Sequence, residues 1–134
     1  MLGIPDTDPQ AKISMNSGEF TNIIRELYQV SESICIEAGE DNITFSVDAE
    51  LGKGKVKLRS TLADKIEDKT VIEVKKDVKQ AFALKYLNMF NKASCCAQVV
   101  TLGMSDETPI VVEYAMDKLG TLKFYLAPKI TEEK

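Results

Sequence analysis

Ser17-Gly18-Glu19-Phe20-Thr21-Asn22-Ile23-Ile24-Arg25-Glu26-Leu27 decides how the rest of the chain is read. Phe20, Ile23, Ile24 and Leu27 fall at i, i+3, i+4 and i+7, the apolar stripe of an amphipathic helix. Ser17 stands where an N-cap belongs and Glu19 lies in the first turn, so the helix is expected to start at Ser17 and end near Val30. Just before it, Ala11 to Met15 alternates as a short strand. After it come three more: Ser33 to Ala38, Asn42 to Asp48 and Gly54 to Arg59, the first two joined by a hairpin turn at Gly39-Glu40-Asp41-Asn42. Residues 1–9 carry two prolines and two aspartates without periodicity and read as a linker.

The plan then returns. A polar stretch with Asp64, Glu67 and Asp68 reads as a solvated loop, followed by strands at Thr70–Lys75 and Val78–Phe82. A helix from about Ala83 to Lys92 leads into strands at Gln98–Met104, Pro109–Met116 and Gly120–Leu126. Helix, strand, strand, strand thus occurs twice, displaced by roughly 62 to 67 residues. The pattern predicts an α+β fold: an internally duplicated β-α-β-β-β unit with both helices on one face of antiparallel sheets.

At 134 residues the chain is long enough for one domain with a genuine core. It contains no histidine, which removes the commonest general base and metal ligand and makes a Ser-His-Asp or Cys-His nucleophile impossible within it. No Walker loop, dinucleotide fingerprint or EF-hand loop is present, so no catalytic residue, cofactor or metal site is expected. Cys35, Cys95 and Cys96 are an odd set with two adjacent members and no zinc-ligand spacing; they read as small thiols in a reducing compartment. No apolar run approaches the ~20 residues of a membrane span. Met1-Leu2-Gly3-Ile4-Pro5 lacks a basic region followed by an apolar stretch, so an intracellular protein is expected.

The net charge of −4 argues against general nucleic-acid affinity, so any DNA contact must come from a local face. Two such faces exist. On the first helix Asn22, Arg25 and Gln29 share one stripe, with Glu26 beside it; on the second, Lys85, Asn88 and Lys92 repeat the spacing. Tyr86, Leu87 and Phe90 are assigned to the core. A solvated helix surface has the same composition, and three cations hold DNA only weakly, since each neutralised phosphate adds a salt slope of about 0.9. With no aromatic interleaving and no recognition-helix pattern, base readout is not expected.

The chain resembles the C-terminal domain of proliferating cell nuclear antigen, the eukaryotic sliding clamp. The resemblance runs nearly end to end and is densest at Leu2-Gly3-Ile4-Pro5, Ser17-Gly18-Glu19-Phe20, Glu50-Leu51-Gly52, Phe82-Ala83-Leu84-Lys85-Tyr86-Leu87, Pro109-Ile110-Val111-Val112-Glu113-Tyr114 and Tyr125-Leu126-Ala127-Pro128-Lys129-Ile130. It implies a nuclear, non-catalytic subunit of two domains, three of which form a ring around duplex DNA. That ring is placed there by a clamp loader and tethers DNA polymerase and other replication and repair proteins.

By this resemblance residues 1–10 are a remnant of the interdomain connector, 11–130 the clamp domain and 131–134 an acidic tail. The sequence then covers about half a family subunit. Arg25, Lys85 and Lys92 match basic positions lining the hole, Asn22 falls where some members carry a basic residue, and Asn88 shares the second stripe. The family's partner-peptide pocket maps onto Leu2, Ile4 and Pro5 from the connector, Pro109, and Tyr125, Leu126, Ala127, Pro128, Lys129 and Ile130. For Tyr125, Leu126 and Ile130, a last strand packed on its own sheet is the competing reading.

The strand with Lys53, Lys55, Val56, Lys57 and Leu58 matches the edge that joins a neighbouring subunit's N-terminal domain. Ile110–Tyr114 is assigned to the edge that meets the N-terminal domain of the same subunit. The family's modifiable lysine aligns with Glu40, so modification there is not expected. Three alternatives stay open: a peptide-binding fragment that does not encircle DNA, an inert fragment lacking both activities, and a ring of about six copies closed head to tail through the duplicated edges.

Overall fold

The computed structural model describes residues 10–50, 52–59, 70–93, 97–106, 108–116 and 120–129. The expected connector and acidic tail, Leu2, Ile4, Pro5 and Ile130, Cys95 and Cys96, and the loop with Asp64, Glu67 and Asp68 lie outside them. The elements run β1 (Ala11–Asn16), α1 (Ser17–Tyr28), β2 (Ser33–Gly39), β3 (Asn42–Ala49), β4 (Gly52–Arg59), β5 (Val71–Val74), β6 (Val78–Ala83), α2 (Leu84–Ala93), β7 (Val99–Met104), β8 (Ile110–Met116) and β9 (Gly120–Leu126).

Two antiparallel sheets form, ordered β5-β1-β7-β8-β9 and β4-β3-β2-β6. Each repeat sends its first strand into the other repeat's sheet: β1 pairs with β7, and β6 with β2. The register makes the duplication exact to within a residue. Asn16 faces Val99 and Ala83 faces Ser33, so β1 maps onto β6 at 67 residues and β2 onto β7 at 66. Cys35 faces Ser46 as Thr101 faces Glu113, and Phe45 faces Val56 as Val112 faces Phe124. The first helical amides follow the same rule: Ser17 N–H donates to Gln98 O and Leu84 N–H to Glu32 O, both at 2.9 Å. Among the described strands β5 alone lies outside the repeat, laid against the other side of β1 from β7.

Alternation along the strands turns Ile13 and Met15 of β1, Ile34 and Ile36 of β2, Ile43 and Phe45 of β3, and Val112 and Tyr114 of β8 into one core. Phe20, Ile23, Ile24 and Leu27 of α1 enter it as the stripe predicts, joined by Leu84 and Leu87 of α2. The helices pack on each other as well as on the sheets.

Two expectations are corrected here. The N-cap of α1 is Asn16, whose Oδ1 accepts from Glu19 N–H at 2.9 Å. Ser17 is instead buried and donates its hydroxyl to Ala97 O at 2.5 Å. Ile110–Tyr114 is also not an edge: β8 is flanked by β7 and β9, so β9 is the edge on that side. A mid-sheet strand and an edge strand of equal apolarity look alike in sequence, because pairing order depends on the partner strands rather than on local pattern.

Candidate nucleic-acid interface and sheet edges

The buried stripe of α1 leaves Asn22, Arg25, Glu26 and Gln29 exposed on the opposite side. Asn22 does more than occupy the stripe: its Oδ1 accepts from Arg25 Nη2 at 2.6 Å, clipping the guanidinium along the helix. On α2, Lys85 and Lys92 are exposed and Asn88 is half-buried. Arg25 and Lys92 are equivalent in the repeat, and both lie in the last helical turn. A cation there also complements the negative end of the helix dipole, so these two side chains serve the helix whatever else they face. The positive charge is uneven, for the exposed side of α1 carries Glu19 and Glu26 beside Arg25, whereas α2 carries no acidic residue.

Tyr86 departs from its expected place. It is 43% exposed, and Lys85 Nζ lies 5.7 Å from its ring centroid, within cation–π range. Leu87 is buried and Phe90 half-buried, stacked on Phe124 at 4.4 Å, as core residues should be. Met89, which sequence reasoning passed over, is 53% exposed at the position equivalent to Asn22. The signal was available: Met89 lies four residues from Lys85 and so shares its face.

Pro109 and Tyr125 are exposed, and Tyr125 pairs across the sheet with Val111, which pairs with Gly103. These residues form an apolar row on the outward side of the five-stranded sheet. Leu126 points the other way and packs on the core beside its partner Ile110. The last strand therefore divides: Tyr125 is exposed at the surface and Leu126 is half-buried against the core. The chain then leaves β9 and crosses to the other sheet. There Lys129 N–H donates to Ala81 O at 2.7 Å and Lys129 Nζ to Ser33 Oγ at 2.5 Å, with Ala127 exposed and Pro128 half-buried on the way.

β4 is the edge of the four-stranded sheet, paired with β3 along its whole length from Gly52 to Arg59. Val56 and Leu58 turn inward against the core; Lys53, Lys55, Lys57 and Arg59 are exposed on the outward side. An open groove of about 570 Å³ lies by this row, lined in part by Ser33, Cys35, Ser46, Asp48, Lys53 and Lys55. Glu40 is exposed in the two-residue turn between the paired residues Gly39 and Asn42. Among the described residues no group of three His, Cys, Asp or Glu side chains could hold a metal ion.

Residues 3–129 match the family model for the proliferating cell nuclear antigen C-terminal domain, which takes in both helices, both sheets and the start of the tail across Ala81. The chain belongs to that family and is a sliding-clamp domain.

Proposed function

We propose that the chain is a DNA polymerase processivity factor that works as a scaffold, contributing one domain to a ring around duplex DNA in the nucleus. The observation that carries this reading is the family match across almost the whole chain. Arg25, Lys85 and Lys92, with Asn22 and Asn88, face the DNA without reading its sequence. Their task is to screen phosphate repulsion while topology provides retention, since so few cations give a shallow salt dependence and a weak contact. β4 joins a neighbouring clamp domain. Pro109 and Tyr125, continued through Ala127, Pro128 and Lys129, form one wall of the pocket for the glutamine–aliphatic–aromatic motif carried by polymerases and other clamp partners. Residues 1–10 supply the connector side of that pocket.

The test is retention on DNA. The chain, mixed with a clamp N-terminal domain, is incubated with nicked circular duplex and passed through a sizing column at 200 mM salt, roughly a Debye length of 7 Å. Protein that travels with the circle and is lost when the circle is cut is held by topology. Equal binding to circular and linear DNA, or none, rejects encirclement. The exposure of Tyr125 and Pro109 favours a second reading in that event, a peptide-binding domain that competes for clamp partners. Titration with a fluorescent motif peptide tests it, and a Tyr125→Ala variant should weaken that binding about tenfold or more if the ring is an anchor.

A further inference from the structure

The four-stranded sheet has two edges, and they are treated differently. At the β6 edge the outward carbonyl of Ala81 is already taken by the amide of Lys129, so the tail covers it. At the β4 edge no described strand continues the sheet. The outward side chains there are Lys53, Lys55, Lys57 and Arg59, spaced about 7 Å apart on a strand that rises ~3.4 Å per residue. Across the pairing with β3 they face Asp48, Ser46, Thr44 and Asn42, one acid for four cations. None of the four forms an ion pair with a described residue.

We propose that β4 accepts as its next strand a segment of different sequence whose outward residues are acidic at alternate positions, so that the junction at this edge is heterotypic and selected by charge. The proposal rests on the reading of β4 as a junction edge and adds the chemistry of its partner. A strand added at β4 places its outward residues directly beside the cationic row, where opposite charges stabilise the pairing and like charges oppose it. No described edge of this chain supplies the complement. The equivalent edge, β9, presents Thr121, Lys123 and Tyr125 outward, one cation and no acid. β5 is four residues long with one outward acid, Glu73, beside the exposed Val71. A second copy of β4 would set four cations against four. Exposed lysines on an edge also deter indiscriminate pairing, which is the ordinary protection of a free strand. Here the row is continuous over the whole strand, so it excludes self-pairing and specifies a partner at once.

The experiment uses three fluorescent peptides of nine residues in which valine alternates with glutamate, threonine or lysine, titrated by anisotropy against the full chain at 50 mM salt. The glutamate peptide is expected to bind at least tenfold more tightly than the threonine peptide, and the margin should shrink severalfold at 500 mM salt, where exposed charges are screened. A Lys55→Glu, Lys57→Glu variant, its fold checked by circular dichroism, is expected to reverse the order and prefer the lysine peptide. Equal binding of the glutamate and threonine peptides, unchanged in the variant, overturns charge selection while leaving β4 as a pairing edge. Failure of every peptide to bind a chain that stays monomeric rejects the edge reading itself. A chain that self-associates with all three peptides excluded overturns the heterotypic junction in favour of a homotypic one.

Discussion

The two repeats share a backbone and differ in what fills it. At equivalent positions the first has Phe20, Ile24, Phe45, Val47, Gly54 and Val56, and the second has Leu87, Asn91, Val112, Tyr114, Leu122 and Phe124. Aromatic mass has moved without being lost. In the first repeat Phe20 and Phe45 meet across helix and mid-sheet strand at 6.1 Å; in the second, Phe124 on the edge strand stacks on Phe90 and meets the edge of Tyr114 at 6.0 Å. Where the first repeat has the buried Ile24 and Val47, the second places Asn91 Oδ1 2.5 Å from the hydroxyl of Tyr114. Where the second has Leu122, the first has Gly54, because Leu27 of α1 reaches that site: a Cβ on Gly54 would lie 3.1 Å from Leu27 Cδ2 and 3.3 Å from Val47 Cγ2. The duplicated scaffold thus fixes strand register and leaves open which element supplies the side chains that fill the core.

Phe45→Ala should cost about 3–5 kcal/mol, because it deletes a fully buried ring from the core of the first repeat and leaves a cavity. Val112→Ala at the equivalent place removes two methyl groups and should cost about 2 kcal/mol, at ~0.8 kcal/mol per buried carbon plus a small cavity. Urea midpoints measured side by side decide it, and equal losses would mean that the repeats do not divide their aromatic mass as described. Next comes Gly54→Leu, which installs the second repeat's residue in the first. Overpacking against Leu27 should cost about 1–3 kcal/mol, and adding Leu27→Ala should recover much of it. A double-mutant cycle with no coupling would show that the helix and strand side chains do not compete for one site. Asn91→Ile makes the reciprocal exchange. It removes the hydrogen bond from the Tyr114 hydroxyl to Asn91 Oδ1 and should cost about 1–3 kcal/mol, part of which Tyr114→Phe in the same chain should restore.

Much of this was legible in sequence, and the failures have physical causes. The stripe of Phe20, Ile23, Ile24 and Leu27 located α1, since helical period alone fixes which face is buried. The duplication was visible because both repeats keep their strand lengths, although its spacing sharpened to 66–68 residues only once register could be read. Sheet order was not legible. Nothing in Ile110–Tyr114 says that β9 lies outside β8, and that fact belongs to the pairing of distant segments. Tyr86 was misplaced because an aromatic next to Leu87 reads as core, yet it stands about 100° round the helix from both Lys85 and Leu87 and remains outside. Among the surface residues, Arg25, Lys85 and Lys92 came from spacing, whereas the clip from Asn22 to Arg25 required coordinates. The edge role of β4 came from the family resemblance and its place at the end of the sheet from topology.

The smallest effect is the most discriminating, because it asks whether the repeats are equivalent in their local signals or only in their backbone. Asn16 caps α1 through its bond to the amide of Glu19; the equivalent residue before α2 is Ala83, which has no side chain to offer the amide of Tyr86. Asn16→Ala should therefore cost about 1 kcal/mol and speed hydrogen exchange at Glu19. Ala83→Asn should return a similar or smaller amount to α2 and slow exchange at Tyr86. If both hold, the two helix starts are interchangeable and α2 forms without a side-chain cap from Ala83 because its apolar face is buried. If only the loss at Asn16 is seen, the outward position of Ala83, opposite Ser33 and close to the tail held at Ala81, leaves no room for the longer side chain to turn back. The missing cap would then follow from the tail crossing this edge, and the asymmetry between the repeats would begin at the strand that the tail covers.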